Sequence, residues 1–304
     1  MLSSTALCRV VAGVLLLIST TPNAVAKPLK VSSDVPFVAS LVQAVVGKQD
    51  RVTSLMSGTE SPHSFALRPR DMRQLQTADL VVMIGEALSP NITRTINDVA
   101  IESPTLAMLE LPELQEFIYR NDDNTNDEAF DRVHGLDPHI WLDPIIVSIM
   151  ATAIGEQLAT LDAARADEFR SNAKKVAAEL MDFHSEQLAR WSNQQTGAFV
   201  TLHEVSRYFQ RRYSLNSIGS LFEGEHVTPS AKHLKQLQER MRSNKVECVI
   251  TDPTTSTRWV DTLTQGQSVA VVSINALGSI DNDTNYLNVL QKVSDTFAQC
   301  LGVP

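Results

Sequence analysis

Cysteine is scarce in this chain, three residues in 304, and so is any long apolar run beyond the amino terminus. The one pronounced apolar stretch, residues 10–18, follows Arg9 and leads to the small residues Ala24-Val25-Ala26. That is the pattern of a secretory signal peptide, and its core is far shorter than the roughly 20 residues a membrane-spanning helix needs. Cleavage near Ala26 is expected, with the mature chain starting near Lys27. No later segment reads as a membrane span. A lipid anchor would require a cysteine at the cleavage point, but Cys8 precedes the apolar core and leaves with the signal. An unanchored periplasmic protein is the expectation.

Clustered Lys and Arg are also missing, and the net charge is -9. A nucleic-acid partner is excluded on that ground, because phosphate binding needs concentrated positive charge. An acidic surface draws cations only weakly, over a screening length of about 8 Å at physiological salt.

Two cysteines remain after signal removal, Cys248 and Cys300, and in an oxidising compartment they allow one pairing. A disulfide is predicted. The competing reading, two thiolate metal ligands, is disfavoured because neither cysteine belongs to a close-spaced pair of the kind zinc sites use. With 43% apolar residues, the mature chain (27–304) suits two lobes of ordinary domain size.

Short β-branched runs alternate with helical patterns. Residues 29–32, 51–55, 80–84 and 105–108 read as strands, with helices at 37–46, 69–78 and 89–101 between them. The alternation resumes with strands at 197–202, 246–251 and 269–274, helices at 205–213, 230–242 and 257–264, and a last helix from 285 carrying Cys300. This is the signature of α/β architecture with parallel sheets flanked by helices. Residues 145–191, poor in Gly and Pro, read as a helix up to 161 and a long one over 163–191, with Asp162 as cap. A helix of about 29 residues would be roughly 43 Å long, a stiff connector that limits hinge motion. The predicted organisation is signal peptide 1–26, N-terminal lobe 27–161, connecting helix 162–192 and C-terminal lobe 193–304. The acidic stretch 121–132 (NDDNTNDEAFDR) has no periodicity and reads as a loop.

Three histidines stand in distinctive contexts: His63 in Glu60-Ser61-Pro62-His63, His139 in Asp137-Pro138-His139-Ile140-Trp141-Leu142, and His203 in Thr201-Leu202-His203-Glu204. Ligands of open α/β sheets bind beyond the carboxyl ends of strands. His203 directly follows a predicted strand, His63 follows one after a short loop with Gly58, His139 precedes the connector, and Asn275 follows the strand ending at Ile274. One metal site in a cleft between lobes is the reading.

These segments, with Leu67-Arg68-Pro69 and Ala78-Asp79-Leu80-Val81, resemble the metal-binding receptors of ABC importers, specifically the high-affinity zinc uptake type (ZnuA-like, cluster A-I). The likeness runs in order over essentially the whole mature chain. It implies two α/β lobes joined by a rigid long helix, a metal held between them, delivery to a membrane permease, and the same disulfide. It implies a monomeric binding protein with no catalytic residues, for which a metallochaperone is a further conceivable partner. Manganese receptors of the family typically carry glutamate where this chain has His203, and three imidazoles suit Zn(II) better than Mn(II). The departure is the fourth ligand: the family usually has an aspartate where this chain has Asn275. Asn275 itself, a water held by it, Glu60, Asp252 or His134 could fill the position. His184, His226 and His233 are expected on the surface. A manganese or broader divalent-metal receptor is the nearest alternative. A zinc hydrolase is the alternative from another class, but Arg207 stands where the second histidine of H-E-x-x-H would be needed.

Overall fold

The computed structural model of the 304-residue chain describes residues 27–120, 135–192, 194, 196–222, 228–279 and 285–304. The predicted signal peptide, the acidic loop 121–132, His134 and His226 lie outside the described residues.

In the first lobe, strands β1 (Lys30–Ser33), β2 (Arg51–Ser54), β3 (Leu80–Met83) and β4 (Thr105–Ala107) alternate with helices α1 (Pro36–Val46), α2 (Pro69–Gln76) and α3 (Pro90–Asp98). They form a wholly parallel sheet in the order β2-β1-β3-β4. Proline opens all three helices, where its missing N–H costs nothing and its fixed φ suits the first turn. Strand β3 is buried along its whole length, as expected for a parallel strand covered on both faces.

Helices α4 (Pro144–Leu161) and α5 (Ala166–Trp191) follow, and then the alternation recurs as β5 (Phe199–Thr201), α6 (Arg207–Arg212), β6 (Ser217–Ser220), α7 (Ala231–Ser243), β7 (Cys248–Thr251), α8 (Thr257–Thr264), β8 (Ala270–Ser273) and α9 (Tyr286–Leu301). The second sheet, also parallel, runs β6-β5-β7-β8, so the two lobes share one strand order without an evident sequence repeat. Its strands sort their side chains with period two. Phe199, Cys248 and Ile250 join the main core with α9, while Ala198, Val200, Leu202 and Val249 form a smaller core with Leu237 and Met241 of α7 and Leu263 of α8.

Three expectations need correction. Strand β6 was not foreseen: Ser-Ile-Gly-Ser is short, half-buried and broken by Gly219 at φ +129°, so it carries no β-branched run. Asp162 ends α4 rather than capping α5 with its side chain, and a 3-10 turn over Ala163–Arg165 separates the two helices, leaving α5 with 26 residues. The third concerns α4, an 18-residue helix with mean hydropathy 1.4, long and apolar enough by composition to cross a membrane. Here it packs on α1 and α5 with Met150, Ala151, Ile154 and Leu158 fully buried.

At about 39 Å, α5 spans both lobes. Near its start, Arg165 forks onto Asp50 at 2.6 Å and the Val46 carbonyl at 3.0 Å, and Asn172 reaches the Val45 carbonyl at 3.0 Å. From its middle, Glu179 accepts from the Tyr286 hydroxyl at 2.6 Å, and near its end Arg190 pairs with Asp295 at 2.8 Å. The disulfide between Cys248 of β7 and Cys300 of α9 is formed.

Candidate metal centre

The three histidines come from separate elements and meet at one point. His63 occupies the 3-10 turn Pro62–Ser64 beyond β2, His139 begins the turn Ile140–Leu142 just before α4, and His203 follows β5. Ring centroids lie 5.2 Å apart for His139 and His203, 5.6 Å for His63 and His139, and 6.2 Å for His63 and His203. Each ring offers one nitrogen, and the three nitrogens lie within 4.8 Å of one another. A tetrahedral cation with bonds of about 2.0–2.1 Å gathers its donors to roughly 3.4 Å, so modest side-chain rotation brings them onto a common ion.

His139 is the most enclosed of the three. Its Nδ1 lies 2.8 Å from Oδ1 of Asp137, and its backbone N–H donates to the same oxygen at 3.0 Å. A carboxylate there fixes the tautomer with the proton on Nδ1 and frees the Nε2 lone pair for a cation. Burial pushes the His139 pKa below its ordinary value, the Asp137 carboxylate opposes this, and the neighbouring imidazoles His203 and His63 add to the lowering. A neutral imidazole is the form a metal requires. Trp141 lies with its ring tilted 5.4 Å from the His139 ring and donates its indole N–H to the Ala276 carbonyl at 2.8 Å, fastening this segment to the turn after β8.

The candidates for a fourth ligand sit differently around the histidines. Asn275 and Asp252 line the same pocket as the histidines, whereas Glu60 does not. The Glu60 carboxylate is turned to Ser57, accepting from its N–H at 2.9 Å and its hydroxyl at 2.5 Å. Asp252 accepts from the Thr254 N–H at 2.8 Å and the Thr255 hydroxyl at 2.6 Å, and stands 3.9 Å from Nδ1 of His203, beyond hydrogen-bond reach. Asn275 is exposed and lines the pocket.

The other histidines are elsewhere. His184, half-buried on α5, meets the Tyr213 hydroxyl at 3.3 Å. His233 corrects the expectation of a surface residue: it is 6% exposed, and its Nε2 donates to the Ser220 carbonyl at 2.9 Å.

A buried polar group behind the cluster went unread in the sequence. Asp137, Glu204 and Arg207 are all buried, and Oδ2 of Asp137 faces Nε of Arg207 at 3.3 Å. Glu204 accepts from the Ser206 N–H at 3.1 Å and from the Gln210 amide at 2.7 Å, and its burial raises its pKa. Only the adjacency of Asp137 to His139, and of Glu204 and Arg207 to His203, could have signalled it.

Two parallel-sheet lobes are bridged by a long helix, with an imidazole cluster beyond their strand ends, and the family that this chain matches makes it a solute-binding receptor rather than an enzyme. The chain belongs to the family described as zinc-uptake complex component A, periplasmic, which matches residues 31–300. It is 26% identical over 299 residues to the high-affinity zinc uptake system protein ZnuA of Paracoccus denitrificans, covering 90% of this chain and 92% of that one. It is 24% identical over 266 residues to the ZnuA of Yersinia pestis, with 81% and 83% covered. Among solved structures, one of ZnuA superposes with a TM-score of 0.75 at 24% identity, covering 90% of this chain and all of that one. The laminin-binding adhesin Lmb of Streptococcus agalactiae gives 0.77 at 20% identity, with 90% and 99% covered, which is a likeness of fold.

Proposed function

We propose that this protein is a periplasmic receptor that captures Zn(II) with His63, His139 and His203 and delivers it to the membrane permease of an ABC importer. The observation that carries the reading is the convergence of three ring nitrogens within 4.8 Å, drawn from both lobes and from the segment before α4. Imidazole donors favour zinc over manganese, which prefers oxygen-rich sites. Membership of a zinc-uptake family supports the same cargo and a permease partner.

Asn275, or a water that it holds, fills the fourth position in this reading: it lines the pocket, whereas the carboxylates of Asp252 and Glu60 are engaged by Thr254 and Thr255 and by Ser57. An amide or water compensates less charge than a carboxylate, so the bound ion exchanges faster than it would beside an aspartate. The bridging contacts of α5 to both lobes oppose wide hinge opening, so capture rests on side-chain and loop adjustment. Removal of residues 1–26 at the membrane would release the mature chain.

Competition between zinc and manganese on the metal-stripped mature chain tests the assignment. Zinc should be preferred by about a hundredfold or more, as expected for a nitrogen-rich site. Equal or tighter manganese binding would sink it.

A further inference from the structure

The segment that carries His139 is gripped from the other lobe by one short helix. Asp137, with a fully buried side chain, divides its carboxylate: Oδ1 accepts from the Nδ1 and backbone N–H of His139, at 2.8 and 3.0 Å, while Oδ2 faces Nε of Arg207 at 3.3 Å. Arg207 is 6% exposed and opens α6, four residues beyond His203. The next residue, Tyr208, donates its hydroxyl to the Asp137 carbonyl at 2.8 Å. One turn further, Arg212 places Nη2 and Nε 2.6 and 2.9 Å from Oδ2 of Asp143, whose Oδ1 caps α4 through the Ile145 N–H at 2.9 Å. Residues 137–143 are thus held at three points by the helix that begins just after His203.

We propose that Arg207 is a positioning residue of the metal site, acting through Asp137 to aim Nε2 of His139 at the point shared with His63 and His203. This rests on the reading that the three histidines hold zinc. A carboxylate that grips an imidazole with one oxygen can still rotate about its own χ angles. A guanidinium charge 3.3 Å from the second oxygen, an ion pair without a hydrogen bond between Oδ2 and Nε, biases the carboxylate plane electrostatically, and the plane orients the ring. Arginine suits the task because its planar, always charged fork keeps its direction, which a lysine ammonium does not. Partners behind a metal-bound histidine typically matter by 10–100-fold in affinity, although they never touch the ion. Arg207 stands one step further back, and its location on α6 makes the geometry of His139 depend on the element that follows His203.

The test is a double-mutant cycle on the metal-stripped mature chain, with Arg207→Gln and Arg207→Lys made alone and with Asp137→Asn. Zinc stoichiometry and affinity are read by chelator competition, site geometry by the visible spectrum of the cobalt(II)-loaded protein, and folding by circular dichroism. Arg207→Gln should keep one zinc per chain, weaken it by about tenfold, and change the cobalt bands. Arg207→Lys should recover part of the loss, and it carries the test should the glutamine variant not fold. With Asp137→Asn in place, replacing Arg207 should cost nothing further, because the two act in series. An unchanged affinity and cobalt spectrum in both Arg207 variants, or a full additional loss in the Asp137→Asn background, would overturn the proposal. Wild-type protein that takes up no zinc would instead defeat the metal reading itself, and that result appears before any substitution is made.

Discussion

A Cβ placed on Gly58 would stand 2.0 Å from the carbonyl oxygen of Gly278, and Gly58 has φ +95°. The loop leading to His63 and the turn carrying Asn275 therefore touch backbone to backbone, which only glycine permits. Close by, the Phe37 N–H donates to the Leu277 carbonyl at 2.9 Å. Gly58→Ala should force these two loops apart, costing about 1–3 kcal/mol of stability and weakening zinc by roughly tenfold. Thermal unfolding with and without zinc checks this: the gap between the two midpoints should shrink relative to wild type.

Asn275 faces the pocket beside the histidines. Asn275→Asp adds a carboxylate where a cation carries uncompensated charge, so zinc should bind tighter by about tenfold or more and dissociate more slowly. Stopped-flow chelator chase of the two proteins makes the comparison. Identical release rates would place Asn275 outside the coordination sphere.

Protons and zinc compete for the same ring nitrogens. Affinity should be level above about pH 7.5 and fall as pH drops through the ordinary histidine range near 6.5. His139 has a folded pKa held below that value by burial, so the folded apo protein binds this proton less readily than the unfolded chain. Its contribution to stability is therefore present above the unfolded pKa and is lost as pH falls through the folded one. Zinc affinity that stays equal at pH 7.5 and pH 5 would contradict a site of three imidazoles.

The disulfide joins Cys248 and Cys300, 52 residues apart, and neither lines the metal pocket. Replacing both cysteines by serine should lower stability by about 2–4 kcal/mol, mainly by freeing the unfolded chain, and leave zinc affinity within about twofold. Urea unfolding paired with a zinc titration separates the two effects.

Much of this structure was legible in the sequence, for identifiable reasons. Val- and Leu-rich runs such as Leu80–Met83 are buried on both faces, so their strands announce themselves. The histidines follow or precede regular elements that carry their own sequence signals, so their positions could be foreseen. What escaped depends on tertiary partners. Strand β6 is specified by pairing with β5 rather than by its own Ser-Ile-Gly-Ser. His233 is buried because the Ser220 carbonyl receives its proton, a contact 13 residues away that no local pattern encodes. The pairing of Asp137 with Arg207 joins residues 70 positions apart, and its only local mark is that each stands close to one of the histidines.

The most direct test of the account is zinc bound per chain in the metal-stripped mature protein, beside His63→Ala, His139→Ala and His203→Ala. One tightly bound zinc in the wild type, greatly weakened in each of the three variants, is the predicted result. Zinc held equally well after any one of these replacements would contradict the assignment of the site.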